Sequence, residues 1–103
     1  MLRIKCLYIK PGKAPLVFEI ENTLESFQKL VGGYIEIVTD KDTKEHNALM
    51  ICNEEGKIMD LEPNLWVDND FVCGNVLIVG DDGDDFKSLN DEQIEYFIRK
   101  YEV

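Results

Sequence analysis

The segment 71–95, FVCGNVLIVGDDGDDFKSLNDEQIE, constrains the fold more than any other part of the sequence. Within it, residues 76–79 are the most apolar run of the chain, which predicts a buried strand. The run leads into residues 81–85, the densest block of negative charge, and then into the start signal of a helix. A core strand, a charged surface loop and a helix are therefore expected in direct succession.

Length and charge limit the fold and the partners. A chain of 103 residues, 45% hydrophobic, predicts a single domain spanning 1–103 with its own core. The net charge is −10, and residues 60–95 account for all of it, because they hold 11 of the 21 acids and one of the 11 bases. Such a surface repels nucleic acids and anionic membranes, but it permits a basic protein partner or a cation.

The three cysteines, Cys6, Cys52 and Cys73, are far apart, and two of them lie in apolar runs. This pattern is typical of buried, reduced thiols and not of a disulfide framework. Lysines interrupt the only apolar stretch near the N-terminus, and no run approaches the roughly 20 apolar residues of a membrane-spanning helix. We therefore expect a cytoplasmic protein.

The apolar patterns predict the element order β-β-α-β-β-β-β-α. Strands are expected at 2–9, 15–20, 34–38, 48–52, 57–61 and 72–79, with a charged loop at 40–45 and an irregular segment at 62–66. Hairpins dominate this order. It therefore predicts an α+β fold, with a largely antiparallel sheet of five or six strands and both helices packed on one face.

Two capping boxes mark where the helices begin. Asn22 with Glu25 predicts the start of the first helix, and Asn90 with Gln93 predicts the start of the second. Gly32 and Gly33 are expected to end the first helix, because glycine is favoured just after a helix. The second helix has an apolar face of residues at helical spacing, expected to be buried. These residues are Ile94, Phe97, Ile98 and Tyr101.

No residue pattern predicts catalysis, a cofactor or a metal site. A cysteine nucleophile needs a neighbouring base, and the only histidine, His46, is expected to be exposed at a strand end. There is no C-x-x-C pair for zinc. The 81–85 block does not fit the twelve-residue calcium loop, since Phe86 stands where glycine is required.

The acids around the last strand form the candidate partner-binding surface. Carboxylates along a surface can occupy the lysine and arginine sites that phosphates would fill. Trp66, in a loop flanked by acids, could anchor such a partner, although a lone tryptophan also fits a core position. A simple solvated face remains the alternative for the acids. The candidate carboxylates are Asp68, Asp70, Asp81, Asp82, Asp84 and Asp85.

Several motifs together resemble an uncharacterised domain family that recurs in phages, plasmids and Firmicutes-type bacteria. They are VGGYIE at 31–36, CNEEGK at 52–57, Pro63-Asn64, CGNV at 73–76 with Gly80, and SLNDE at 88–92. The resemblance covers nearly the whole chain. The family is similar in setting to small accessory proteins of mobile elements. In size and acidity the chain is also similar to type II-A anti-CRISPR proteins.

The resemblance implies an anti-defence protein without enzymatic activity. We expect an inhibitor that binds a basic nucleic-acid groove of a host RNA-guided nuclease through the acidic surface, since such effectors hold nucleic acid in a positively charged channel. The alternative is a protein that binds or sequesters a small ligand such as a nucleotide signal. That alternative requires a pocket, which the sequence alone does not reveal.

Overall fold

The apolar run 76–79 forms the centre of an antiparallel sheet in the computed structural model, which describes residues 2–102. The elements are β1 (Arg3–Ile9), β2 (Leu16–Glu21), α1 (Leu24–Val31), β3 (Ile35–Val38), α2 (Lys41–Glu45), β4 (Ala48–Asn53), β5 (Pro63–Val67), β6 (Asp70–Cys73), β7 (Val76–Asp81), β8 (Phe86–Lys87) and α3 (Asp91–Lys100). The main sheet has the order β2-β1-β7-β4-β3, with β8 paired to β7, while β5 and β6 form a separate hairpin. The predicted α+β fold with a largely antiparallel sheet is confirmed.

Strand β7 is buried on both of its faces. Ile78 belongs to a cluster with Phe97 of α3, whereas Leu77 belongs to a cluster with Phe27 of α1. Neighbouring residues of a strand point to opposite faces of the sheet. The two helices therefore cover opposite faces, and the prediction that they share one face is wrong. The β5–β6 hairpin contributes Leu65 to the α3 side.

The predicted start of α3 is confirmed, whereas the capping box predicted at Asn22 and Glu25 for α1 is wrong. Asn90 and Gln93 form the predicted capping box of α3, and the predicted apolar face of that helix packs into the core. Helix α1 begins one residue later than predicted, because Thr23 accepts the backbone N–H of Ser26 and acts as the N-cap. Asn22 instead donates hydrogen bonds to Asp85 and Phe86, at the connection between β7 and β8.

A short helix replaces the charged loop predicted at 40–45. Asp40 accepts the backbone N–H of Thr43 at 2.9 Å, and the Thr43 hydroxyl in turn accepts the backbone N–H of Asp40 at 2.9 Å. Both residues are buried. This reciprocal capping box starts α2 in a segment whose charge pattern favours a loop.

The segment 57–61 is not the predicted strand. The backbone N–H of Met59 donates to the carbonyl of Glu55, and Asp60 has a positive φ of 59°, so the chain turns instead of extending. A strand forms instead at β5, which overlaps the stretch 62–66 predicted to be irregular. Pro63 is its first residue, a position where the missing N–H does no harm.

Gly74 divides the strand predicted at 72–79 into β6 and β7. Its φ of 89° is a conformation that side-chain-bearing residues rarely adopt, and a Cβ there would meet the Leu61 side chain at 2.8 Å. The break allows β6 to pair with β5, above the sheet that contains β7.

The fold predicts a large cost for truncating the central strand. We expect Ile78→Ala to lower the free energy of unfolding by about 2–5 kcal/mol, because Ile78 is completely buried. Ile37→Ala, at a 51% exposed position on edge strand β3, should cost about 1 kcal/mol or less. Chemical denaturation of both variants measures the difference. Equal losses would contradict the central position of β7.

Candidate functional site

The acidic block 81–85 forms the tight turn that joins β7 to β8. Asp81 accepts the backbone N–H of Gly83 at 2.9 Å, and the backbone N–H of Asp82 donates to the carbonyl of Asp85 at 3.0 Å. Asp85 accepts the backbone N–H of Phe86 at 2.7 Å. Two of the four carboxylates, those of Asp81 and Asp85, therefore have a structural role in the turn.

Asn22 fixes this turn to the rest of the fold. Its side-chain amide donates to the Asp85 carboxylate at 3.2 Å and to the carbonyl of Phe86 at 3.1 Å. The Phe86 ring packs edge-on against Phe27 of α1 at 5.2 Å between ring centroids. These contacts hold the turn in one place on the surface.

Asp82 and Asp84 remain free on the turn. Both are exposed, and neither takes part in any side-chain hydrogen bond or ion pair within residues 2–102. They are thus two unpaired carboxylates on a rigid support, available to a cationic group from another molecule.

The other predicted site residues lie on the β5–β6 hairpin. Trp66 is 67% exposed, which rules out the core position considered for it, and its ring packs edge-to-face on Phe71 at 5.6 Å. Asp68 begins the two-residue turn of the hairpin with a positive φ of 54°, which aspartate tolerates. These residues and the acidic turn belong to two different hairpins.

One carboxylate of the β5–β6 hairpin has a cationic partner. Asp70 contacts the Lys57 ammonium at 2.5 Å, and this hydrogen bond is the main cause that lowers the pKa of Asp70. Asp68 lines a groove with Lys41 and Lys100, but Lys100 is paired with Asp42, and Asp68 has no ion pair within residues 2–102. Lys57 therefore partly neutralises Asp70, whereas Asp68 is unpaired.

A cleft of about 530 Å³ lies between the β3–β4 side of the sheet and the β5–β6 hairpin. Carboxylates, aliphatic side chains and the ring of Phe71 line it, and the buried thiols of Cys52 and Cys73 also reach its wall. The lining carboxylates are Glu36, Glu54, Asp68 and Asp70. No local sequence pattern indicates this cleft, because its walls come from segments far apart in the chain.

The thiols of Cys6 and Cys52 are poor nucleophiles. Burial raises the pKa of Cys52 to about 11, with smaller contributions from Glu36 and Cys73, and burial raises the pKa of Cys6 to about 12. Both thiols therefore stay protonated near neutral pH.

His46 does not activate these thiols. It is partly buried and not exposed as predicted, because its ring stacks on Tyr96 of α3 at 3.8 Å. Its Nδ1 lies 2.8 Å from the carbonyl of Asp42 in α2. Within residues 2–102, no group of three or more His, Cys, Asp or Glu side chains is arranged to hold a metal ion. Over the same range, no helix is long and apolar enough to cross a membrane.

Comparisons with known proteins identify one match. A family model described as "Domain of unknown function (DUF3846)" matches residues 4–102. No curated protein and no solved structure matches the chain. The match confirms the resemblance to an uncharacterised domain family over nearly the whole chain, and its description carries neither an activity nor a genomic setting.

The raised thiol pKa values predict slow modification of the native protein. Because burial raises the pKa of Cys52 from 9.0 to about 11, the thiolate fraction of Cys52 is roughly 100-fold lower at mildly alkaline pH. We expect Ellman's reagent to label the native chain far more slowly than the denatured chain, in which all three thiols are accessible. Equally fast labelling of both states would contradict the burial of these cysteines.

Proposed function

The chain belongs to the DUF3846 family of domains of unknown function, and we propose that it is a non-enzymatic protein that binds a basic partner through the acidic turn between β7 and β8. The observation that carries this proposal is the pair Asp82 and Asp84, which are exposed, unpaired and held on a turn that Asn22 fixes in place. Rigid presentation favours binding, because little conformational entropy is lost when the partner arrives.

The partner that suits this surface is a nucleic-acid-binding groove. Lysine and arginine side chains that hold phosphates can make the same charge-assisted hydrogen bonds to carboxylates. The net charge of −10 steers the chain towards such a groove and opposes direct binding to nucleic acid.

The identity we propose for the partner is an RNA-guided nuclease of a bacterial host. Such effectors keep a positively charged channel for the guide and target strands, which an acidic turn can enter. The chain would then act in the host cytoplasm as an anti-CRISPR protein encoded by a phage or another mobile element. Its size and acidity support this proposal.

Trp66 provides an apolar anchor for the same partner or a second one. A large exposed ring braced by Phe71 presents much contact area while losing little rotational freedom. Asp68 and Asp70 would add polar contacts around it, although Lys57 already holds Asp70.

The test uses DNA cleavage by a type II-A RNA-guided nuclease. The unmodified chain should inhibit cleavage, and Asp82→Asn combined with Asp84→Asn should weaken inhibition about tenfold or more, since both free carboxylates are lost. This pair is preferable to changing all four aspartates, because Asp81 and Asp85 also hold the turn. Inhibition by the unmodified chain should fall as salt is raised.

A charge-matched control separates the turn from the overall charge. Glu45→Gln combined with Glu102→Gln removes two exposed carboxylates elsewhere in the chain and should leave inhibition nearly unchanged. Equal inhibition by both double variants would contradict a role for the turn. Absence of inhibition by the unmodified chain would exclude this nuclease as the partner.

A second candidate function is the binding of a small ligand in the cleft beside β5–β6. Its volume of about 530 Å³ lies in the range typical of ligand pockets. Lys57 also lines the cleft and is paired with Asp70, so Glu36, Glu54 and Asp68 are the lining carboxylates without an ion pair within residues 2–102. These three carboxylates favour an amphipathic cation, such as a polyamine, and oppose a nucleotide.

Thermal unfolding tests this second function. Spermidine should raise the melting temperature, since a ligand that binds only the folded state stabilises it. Glu36→Gln combined with Asp68→Asn should reduce that rise, whereas the control variant Glu45→Gln/Glu102→Gln should keep it. A rise that survives the cleft substitutions would show that spermidine binds elsewhere.

A further inference from the structure

Three lysines converge on one cavity of this acidic protein. Lys10, Lys13 and Lys29 line a depression of about 450 Å³, and Glu62 is the one acid in its lining. The chain has almost twice as many acids as bases, so a concentration of positive charge at one cavity is unexpected from composition. This lysine cavity lies outside both sites described above, and none of its lining residues is shared with them.

A tight turn brings two of the lysines together. The backbone N–H of Lys13 donates to the carbonyl of Lys10 at 3.1 Å across Pro11 and Gly12. Proline at the second position and glycine with a φ of 73° at the third are the features of a type II turn, which keeps the flanking Cα atoms less than about 7 Å apart. Lys29 joins them from the last turn of α1.

The three ammonium groups have no carboxylate partner. None of the ion pairs found within residues 2–102 involves Lys10, Lys13 or Lys29, and all three lysines are exposed. Their charges repel one another, so an anion that neutralises all three gains more electrostatic binding energy than it would from a single lysine.

The C-terminal end of α1 also lines the cavity, and its negative dipole end would oppose an anion. Side-chain donors satisfy the carbonyls that create this opposition. The amide of Asn75 donates to the carbonyl of Leu30 at 3.1 Å, and the amide of Asn53 donates to the carbonyl of Val31 at 3.1 Å. The opposing field at the cavity is thereby reduced.

We propose that the lysine cavity binds a phosphorylated small molecule that carries two or more negative charges. The three lysines would contact the phosphate oxygens, a role in which lysine acts as a point charge. Apart from Glu62 and Asn75, the side chains of the remaining wall are apolar, among them Leu30, Met59 and Leu61, and this part of the wall suits a ring or chain attached to the phosphates. A nucleotide signal is one member of this class.

The surrounding charge restricts the ligand to a small one. Electrostatic interactions at physiological salt fade over about 8 Å, so the acids of the 81–85 turn do not repel an anion confined to the cavity. A nucleic acid strand would extend beyond the three lysines and meet acidic surface elsewhere, which opposes its binding.

Pyrophosphate is the probe that tests the site, with binding measured by isothermal titration calorimetry on the full chain at physiological ionic strength. We expect saturable binding, and each of Lys10→Gln, Lys13→Gln and Lys29→Gln should weaken it about two- to fivefold. Glu62→Gln should strengthen binding by a similar factor, because it removes the opposing carboxylate.

Lys44→Gln is the matched control, since Lys44 is exposed on α2 and does not line the cavity. It changes the net charge by the same amount and should leave the affinity unchanged. No binding of pyrophosphate at millimolar concentrations would overturn the proposal, as would an equal loss of affinity in Lys44→Gln. Asp82→Asn/Asp84→Asn should retain pyrophosphate binding, so this site and the proposed partner surface succeed or fail separately.

Discussion

The burial of β7 on both faces is the constraint on which the rest of the structure depends. Val76, Leu77, Ile78 and Val79 are all completely inaccessible to solvent. A strand that alternates between two apolar clusters needs cover on both sides of the sheet. Helix α1 covers one face of the sheet, while α3 and the β5–β6 hairpin cover the other. The positions of these elements therefore depend on the burial of β7.

The same strand separates two regions of opposite charge. Its first residue follows Asn75, which lines the lysine cavity, and its last residue, Asp81, begins the acidic turn. The six residues of β7 span roughly 17 Å at about 3.3 Å per residue. This distance exceeds the screening length of about 8 Å at physiological salt. The chain can therefore offer an anionic surface to a basic partner and a cationic cavity to a small anion without mutual cancellation.

Local signals in the sequence were sufficient for much of the fold. The N-terminal hairpin, the start of α3 at Asn90 and the buried run at 76–79 all follow from patterns of a few residues. An uninterrupted apolar run is also typical of a strand buried on both faces, since a strand with one solvated face alternates, but the sequence prediction placed both helices on one face. The strand at 63–67 was missed because proline and asparagine disfavour strands, and its pairing with 70–73 outweighs that preference.

The sites were less predictable, because they depend on contacts between distant segments. The sequence alone shows the negative charges of Asp82 and Asp84, but it does not show that Asn22 fixes their turn. The cavity joins lysines at 10–29 to a wall at 59–75, which no local pattern reveals.

The most direct test of two separate binding sites is amide chemical-shift mapping of the chain, once with pyrophosphate and once with an arginine-rich peptide. We expect two separate sets of shifted residues, one around Lys13 and Gly32 and the other around Asp82 and Asp84. A single shared set would contradict the separation of the two sites.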